Sequence, residues 1–203
     1  MRKLGLIGGM SWVSTRTYYE HINRLVQART SKLASAPLLI ESLDFTDLVR
    51  LSTPEQWNHA ADVLTASAQR LEQAGATAIL IGANSMHKVY DKVAGAVQVP
   101  VIHIADVVGQ KMQANGVKTA ALIGSRNVMI ESFYRKRLIE HGVTLLPPVM
   151  DSVEEASARV LVREVASTSA QQRVKNMLPD LFSVGFLLGP EATPAPEAAE
   201  LFL

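Results

Sequence analysis

Residues 3–15 read Lys-Leu-Gly-Leu-Ile-Gly-Gly-Met-Ser-Trp-Val-Ser-Thr, and this stretch decides the fold class. An apolar run ends in two glycines, and a serine then precedes residues with apolar side chains at helical spacing, among them Tyr18, Ile22 and Val26. The run predicts a short buried strand, and the spacing predicts a helix that begins after Gly9. A strand that passes directly into a helix is typical of α/β proteins.

The same alternation continues along the chain. Six further apolar runs, bounded by glycine, proline or polar residues, are predicted strands: 37–43, 77–82, 99–104, 118–124, 143–146 and 184–189. Their near-continuous hydrophobicity predicts burial on both faces, as in a parallel sheet. Between two of them, Thr53, Pro54 and Gln56 predict a capped helix, and Gly75 is expected to end it.

A weak repeat organises these elements. The tripeptide Leu-Ile-Gly occurs at 6–8, 80–82 and 122–124, and Leu-Leu-Gly follows at 187–189. The spacing favours two similar α/β lobes, although so short a pattern also arises by chance. Because ligands of open α/β sheets bind beyond the carboxyl ends of the strands, we expect the four glycines that end these runs to lie around one cleft.

Composition excludes several classes of function. The chain has 203 residues and a mass of 22.0 kDa, with 48% hydrophobic and 19% charged residues, which predicts a packed core rather than disorder. Its net charge of +1 gives no electrostatic footprint for nucleic acid or for an anionic membrane. No apolar run is long enough for a membrane span, so we expect a soluble, cytoplasmic protein.

The side chains that most often bind metals or attack substrates are sparse. The sequence contains no cysteine, which excludes disulfides, thiolate metal sites and thiol nucleophiles. Its five histidines lack paired ligand spacing, so we expect no metal site. Neither G-x-G-x-x-G nor a P-loop is present, which disfavours nucleotide binding.

The loops after the predicted strands carry the candidate binding residues. The amides of Gly9 and Met10, with the Ser11 hydroxyl, form either an anion site or a plain glycine turn with a serine cap. In the second loop, Asn84 and Ser85 offer hydrogen bonds that suit a carboxylate or an amino group.

Other polar residues in or near these loops are further candidates. Ser125 either caps a helix or donates to a ligand. His87 and His103 follow strands and are either structural or acid–base groups. Asp106 is expected near a helix N-terminus, and Glu191 is the titratable group of the fourth loop.

Four segments resemble the signatures of one family. Residues 6–19, with Leu-Ile-Gly-Gly-Met-Ser-Trp-x-Ser-Thr-x-x-Tyr-Tyr, resemble the amino-terminal signature of the aspartate/glutamate racemases. Residues 84–89 (Asn-Ser-Met-His-Lys-Val), 99–106 (Val-Pro-Val-Ile-His-Ile-Ala-Asp) and 124–134 resemble three further signatures in the same order. The resemblance thins beyond residue 150.

The resemblance implies an architecture and a ligand class. It implies two pseudo-symmetric lobes, each a four-stranded parallel sheet flanked by helices, with residues 1–98 and a C-terminal helix at about 194–203 in the first and 99–193 in the second. A small amino acid or carboxylate would bind between the lobes, without pyridoxal phosphate or another cofactor, in a homodimer. The substrate-binding residues that it implies are Met10, Ser11, Asn84, Ser85 and Ser125.

The resemblance also exposes a conflict with the family's chemistry. Members are similar in using two cysteines on opposite faces of the α-carbon. This chain has Gly82 at the first position and either Pro190 at the second or a deletion of the loop that would carry it. Surrogate groups would be His87 or His103 on one side and Glu191 on the other. The implied protein is an isomerase-family member whose two-cysteine chemistry is lost or replaced. The alternatives are a non-catalytic ligand- or partner-binding pseudoenzyme and a related lyase or decarboxylase that uses other groups.

Overall fold

The computed structural model describes residues 2–48, 51–120, 122 and 125–146. These residues form two compact units, of which one ends at Ile104 and the other begins at Ala105. Several predicted features lie outside the described residues, namely Gly124, the run 184–189 with Gly189, Pro190, Glu191 and the C-terminal helix.

The first unit contains a four-stranded parallel sheet, as predicted. Its strands are β1 (Leu4–Gly8), β2 (Leu38–Ser42), β3 (Ala78–Ile81) and β4 (Val101–Ile102), in the order β2-β1-β3-β4. All three pairings are parallel. The carboxyl ends of the strands therefore meet at one edge of the sheet, and the loops that follow β1 and β3 are neighbours there.

Helices connect these strands. They are α1 (Trp12–Arg29), α2 (Pro54–Gln73) and the short α3 (Tyr90–Gly95), with 3₁₀ turns at Thr46–Leu48 and Ser85–Val89. The predicted capping box at α2 is confirmed, because Thr53 accepts from the Gln56 amide while the Gln56 side chain accepts from the Thr53 amide. Helix α2 ends before Gly75, as expected.

The core of this unit lies between α2 and the sheet. Trp57, Ala61, Leu64, Ala68 and Leu71, the predicted apolar face of α2, are all buried, in one cluster with side chains from β1 and β3. Alternation along β1 places Leu6 on the opposite face of the sheet from the clustered side chains, and Leu6 is also fully buried. The sheet is therefore covered on both faces.

Strand β2 departs from the expected burial. Its residues are half-buried or exposed, and Ile40 is 38% exposed. The expectation that each apolar run is buried on both faces is wrong here, because β2 forms the edge of the sheet and has a partner on one side only. Across this edge Arg70 of α2 forms an ion pair with Glu41.

The second unit is described by itself. It contains α4 (Ile104–Ala114) beyond its first residue, α5 (Arg126–Ile130), α6 (Ser132–Glu140) and a parallel pair, β5 (Thr119–Ala120) and β6 (Thr144–Leu145). Helices α5 and α6 are separated only by Glu131, which is extended, with ψ 155°.

The boundary between the units differs from the sequence division at 98/99. Residues 99–104 belong to the first unit, because β4 pairs with β3. The return of residues 194–203 to the first lobe stays a prediction. Within the described residues, no helix has both the length and the apolar character that a membrane span requires.

Candidate functional site

The turn after β1 is built around Gly9. Its φ of +85° lies in the left-handed region, and a Cβ there would lie 2.0 Å from the carbonyl oxygen of Leu43. Leu43, in turn, donates its amide to the carbonyl of Gly8 at 3.0 Å. Glycine at this position therefore allows the loop after β2 to pack directly against the turn after β1.

Thr15 organises the same turn from the first helical turns of α1. The Gly9 amide donates to Thr15 Oγ1 at 2.8 Å, and Thr15 Oγ1 donates to the Ser11 carbonyl at 3.1 Å. Of the two interpretations of this loop, the structure favours the glycine turn with a serine cap, because the threonine hydroxyl already accepts the Gly9 proton. Sequence reasoning missed Thr15, because no local pattern indicates that a threonine six residues further on accepts from the Gly9 amide.

Ser11 and Met10 have different surroundings. Ser11 is the N-cap of α1, and its Oγ accepts from the Val13 amide at 3.3 Å, so the hydroxyl retains a proton to donate. The Met10 side chain is 5% exposed and packs in the apolar core. Met10 therefore brings only its backbone to this edge of the sheet.

The turn after β3 begins with a close approach of two backbones. The Gly82 amide donates to the Ile7 carbonyl at 2.8 Å, and a Cβ at Gly82 would lie 3.0 Å from that oxygen. A side chain at position 82 therefore requires its surroundings to move by a few tenths of an ångström. The turns after β1 and β3 are joined at this point.

Asn84 contributes an unused acceptor to this turn. It occupies the N-cap position of the 3₁₀ turn Ser85–Val89, but its side chain makes no capping hydrogen bond. Its Oδ1 is buried and has no hydrogen-bond partner. A buried carbonyl oxygen without a donor carries a desolvation cost of about 1–3 kcal/mol, which a ligand that donates to it would relieve.

His87 lies in the same 3₁₀ turn and uses both ring nitrogens. Nδ1 lies 3.0 Å from the Ala83 carbonyl and 3.3 Å from the Asn84 carbonyl, while Nε2 accepts from the Ile104 amide at 3.3 Å. The ring is 2% exposed. Acid–base catalysis by His87 would first have to break one of these bonds. In this structure the imidazole instead links the turn after β3 to Ile104.

His103 and Tyr90 pack against this ring. The His103 ring lies 4.6 Å from that of His87 and 4.8 Å from that of Tyr90, both edge to face. The Tyr90 hydroxyl donates to the Val101 carbonyl at 2.8 Å. His103 is 3% exposed, so it is enclosed rather than displayed at the edge of the sheet.

Two charged groups lie on the loops near this edge, Asp44 after β2 and Lys88 after β3. Hydrogen bonds from the Thr46 amide and hydroxyl hold the pKa of Asp44 below its usual value. Asp44 therefore stays a carboxylate at neutral pH. Lys88 directs its ammonium over the Trp57 ring, 4.4 Å from the centroid.

The second unit holds the remaining predicted residues that are described. Ser125 is at the N-cap position of α5 without a capping hydrogen bond from its side chain, and its Oγ is buried without a partner. Asp106 lies in the first turn of α4, as expected, and binds Arg137 at 2.5 Å and His141 at 3.4 Å. The carboxylate of Asp106 therefore has a structural role, since it links α4 to Arg137 and His141 within the second unit.

The structure thus brings four of the predicted residues together: Met10, Ser11, Asn84 and Ser85 lie on the loops after the neighbouring strands β1 and β3. Ser125 lies on the second unit. The catalytic prediction for Glu191 falls outside the described residues.

Comparison with known proteins gives a consistent result. The family model of the Asp/Glu/Hydantoin racemases matches residues 7–185. A crystal structure from Yersinia pestis, described as a candidate Asp/Glu racemase, is 32% identical, with 99% of each chain covered and a TM-score of 0.83. An aspartate racemase homologue from Pyrococcus horikoshii is 25% identical, with 99% of this chain and 97% of that chain covered and a TM-score of 0.78.

A third structure shows the fold alone. The aspartate racemase of Picrophilus torridus is 16% identical, with 89% of this chain and 78% of that chain covered and a TM-score of 0.69. Three observations point to the same family: the parallel sheet flanked by helices, the four signature segments and the extent of these matches. The chain belongs to the Asp/Glu/Hydantoin racemase family.

Proposed function

We propose that this protein binds a small amino acid, or a related carboxylate, on the loops after β1 and β3, and that it does so without the two-thiol chemistry of its family. The observation that carries the proposal is the buried, unpartnered Oδ1 of Asn84 at the carboxyl edge of the sheet. The names of its relatives, an Asp/Glu racemase candidate and an aspartate racemase homologue, support the same ligand class.

The Asn84 oxygen determines which kind of ligand group can bind beside it. A carbonyl oxygen accepts hydrogen bonds only, so its natural partner is a donor such as the α-ammonium group of an amino acid. A bond to a charged donor is worth about 1.5–3 kcal/mol. An amino acid is therefore favoured over a simple dicarboxylate of the same length.

The carboxylate end of the ligand needs donors, and the loop after β1 offers them. The Ser11 hydroxyl retains its proton, and Ser11 stands at the N-terminus of α1, an 18-residue helix whose dipole favours an anion. Ser85, beside Asn84, adds a second hydroxyl. Acceptor and donors thus stand on loops after adjacent strands.

The absence of cysteine limits the chemistry. Removal of an α-proton needs a base on one face of the carbon and an acid on the other, both well placed. No thiol exists in this chain, and we propose that Gly82 and Pro190 stand where the family has its cysteines. A proton could be exchanged only by groups other than thiols, and Glu191 is the surrogate that the sequence predicts.

Isothermal titration calorimetry with L-aspartate and with succinate tests the binding proposal. Both ligands carry two carboxylates, but only aspartate carries the ammonium. Asn84→Ala is expected to lower the affinity for aspartate about tenfold or more and to change the affinity for succinate much less. Asn58→Ala, on the exposed side of α2, is the matched control and leaves both affinities unchanged.

Two results would contradict the proposal. One is wild-type protein that binds neither L-aspartate nor L-glutamate; the other is an Asn84→Ala variant that binds aspartate as tightly as wild type does.

We also propose a homodimer in the cytoplasm. The homodimer is supported by two exposed aromatic side chains on α1, Trp12 at 66% and Tyr19 at 50%, which offer a contact surface. Multi-angle light scattering is expected to give twice 22.0 kDa, and a particle of 22.0 kDa alone would contradict the dimer.

A further inference from the structure

We propose that His87 is a proton-sensitive positioning residue for the ligand-binding turn after β3. Only as a neutral imidazole with its proton on Nδ1 does it join that turn to Ile104, the first residue of α4. The inference rests on the proposed function for its effect on ligand affinity, but the bond itself is measurable without any ligand.

The hydrogen-bond partners fix the tautomer. The Ile104 amide is a donor only, so Nε2 must be an unprotonated acceptor. The carbonyls of Ala83 and Asn84 are acceptors only, so Nδ1 must carry the proton. One neutral tautomer satisfies the Ile104 amide and the two carbonyls together, and the imidazolium ion does not, because its Nε2–H would face the N–H of Ile104.

The bond joins two segments that are far apart in sequence. His87 and Ile104 are 17 residues apart, and the Ile104 residue is 6% exposed. Without His87 Nε2, the Ile104 amide becomes a buried donor with no acceptor. At its other end the ring holds the carbonyls of Ala83 and Asn84, the residues that set the position of the Asn84 side chain.

Groups from three segments lie around or beside the ring. From the segment after β4, His103 faces it at 4.6 Å, and from α3, Tyr90 stacks on it at 6.5 Å between centroids. Lys88, next in sequence, directs its ammonium over Trp57. Protonation of His87 Nε2 would set its N–H against the N–H of Ile104 and break their hydrogen bond, so acidification is expected to release the turn.

Nuclear magnetic resonance of ¹⁵N-labelled protein tests the tautomer directly. At pH about 7.5 the His87 ring is expected to show a protonated Nδ1 and an unprotonated Nε2. As the pH falls to about 5.5, the Ile104 amide signal is expected to move together with the His87 ring signals rather than with those of His103. A proton on Nε2 at neutral pH would overturn the proposal.

Two substitutions separate the bond from simple packing. The side-chain amide of Gln reaches about as far as Nε2 and can accept from Ile104, whereas that of Asn reaches only about as far as Nδ1. His87→Asn is expected to lower the protection of the Ile104 amide against hydrogen exchange by at least about threefold, and His87→Gln is expected to restore it. His59→Gln, on the exposed side of α2, is the control.

Ligand affinity gives the functional readout. Between pH about 7.5 and about 5.5, wild-type affinity for L-aspartate is expected to fall about threefold to tenfold, while that of His87→Gln stays constant. An equal pH dependence in both proteins, or an Ile104 amide unaffected by His87→Asn, would overturn the proposal. If wild type binds no aspartate, the proposed function fails, and amide exchange alone then decides whether His87 positions the turn.

Discussion

Replacing Gly9 by alanine is expected to destabilise the first unit severely, because two independent costs meet at this residue. A φ of +85° costs an L-residue about 1–2 kcal/mol. The new Cβ would also lie 2.0 Å from the Leu43 carbonyl oxygen and 2.4 Å from its nitrogen, less than any normal contact. Both are backbone atoms, so relief requires the loop after β2 to move away.

That movement has a calculable consequence. Overpacking of this kind costs about 1–3 kcal/mol, and displacement of Leu43 also stretches its hydrogen bond to Gly8, worth about 0.5–1.5 kcal/mol. The expected loss is about 3–6 kcal/mol, which is a large part of the stability of an ordinary domain. Gly75→Ala is the matched control, since Gly75 has φ +92° but its Cβ would meet only Lys3 Nζ, at 3.9 Å.

Urea unfolding followed by tryptophan fluorescence measures this difference. The chain has two tryptophans, Trp12 and Trp57, and both belong to the first unit, so the signal follows the unit that contains the substitutions. Gly75→Ala is expected to cost about 1–2 kcal/mol and Gly9→Ala at least about 1.5 kcal/mol more. Equal losses would refute the close packing of the two loops.

Three further predictions concern stability. Thr53→Ala removes the cap of α2 and is expected to cost about 0.5–2 kcal/mol in the same assay, whereas Thr53→Ser costs little. Leu64→Ala empties a fully buried position and is expected to cost about 2–5 kcal/mol, against almost nothing for Leu33→Ala at a side chain that is 96% exposed. Hydrogen bonds from Arg70 hold the pKa of Glu41 below its usual value, so the pair stabilises above pH 4.5 and the stabilisation is lost as the pH falls through the lowered pKa. Glu41→Gln is therefore expected to be less stable than wild type at pH 7, by about 0.2–1 kcal/mol because Arg70 is 55% exposed, and equally stable at low pH; a difference that persists in acid would contradict this.

Local sequence signals predicted much of the first unit. The capping box at Thr53 and Gln56 and the apolar runs that end at Gly8 and Gly82 each depend on residues a few positions apart. Such patterns determine where a helix begins and where a strand ends, and the structure agrees with them.

The remaining features depend on contacts between distant segments. The exposure of Ile40 follows from the order of the strands, which places β2 at the edge of the sheet. The structural role of His87 follows from its hydrogen bond to Ile104. The Gly9 amide cannot bind an anion because it already donates to the side chain of Thr15. A list of polar residues after strands predicts which residues reach the edge of the sheet, but not which of their hydrogen bonds are already made.

The central claim is that the protein binds a small amino acid and, because both family cysteines are absent, does not racemise it. Proton magnetic resonance of L-aspartate incubated with the protein in D₂O tests it most directly, because any productive cycle replaces the α-hydrogen by deuterium. The account predicts binding of L-aspartate in calorimetry together with no protein-dependent loss of the α-proton signal. Deuterium incorporation at an enzymatic rate, with D-aspartate as product, would contradict it.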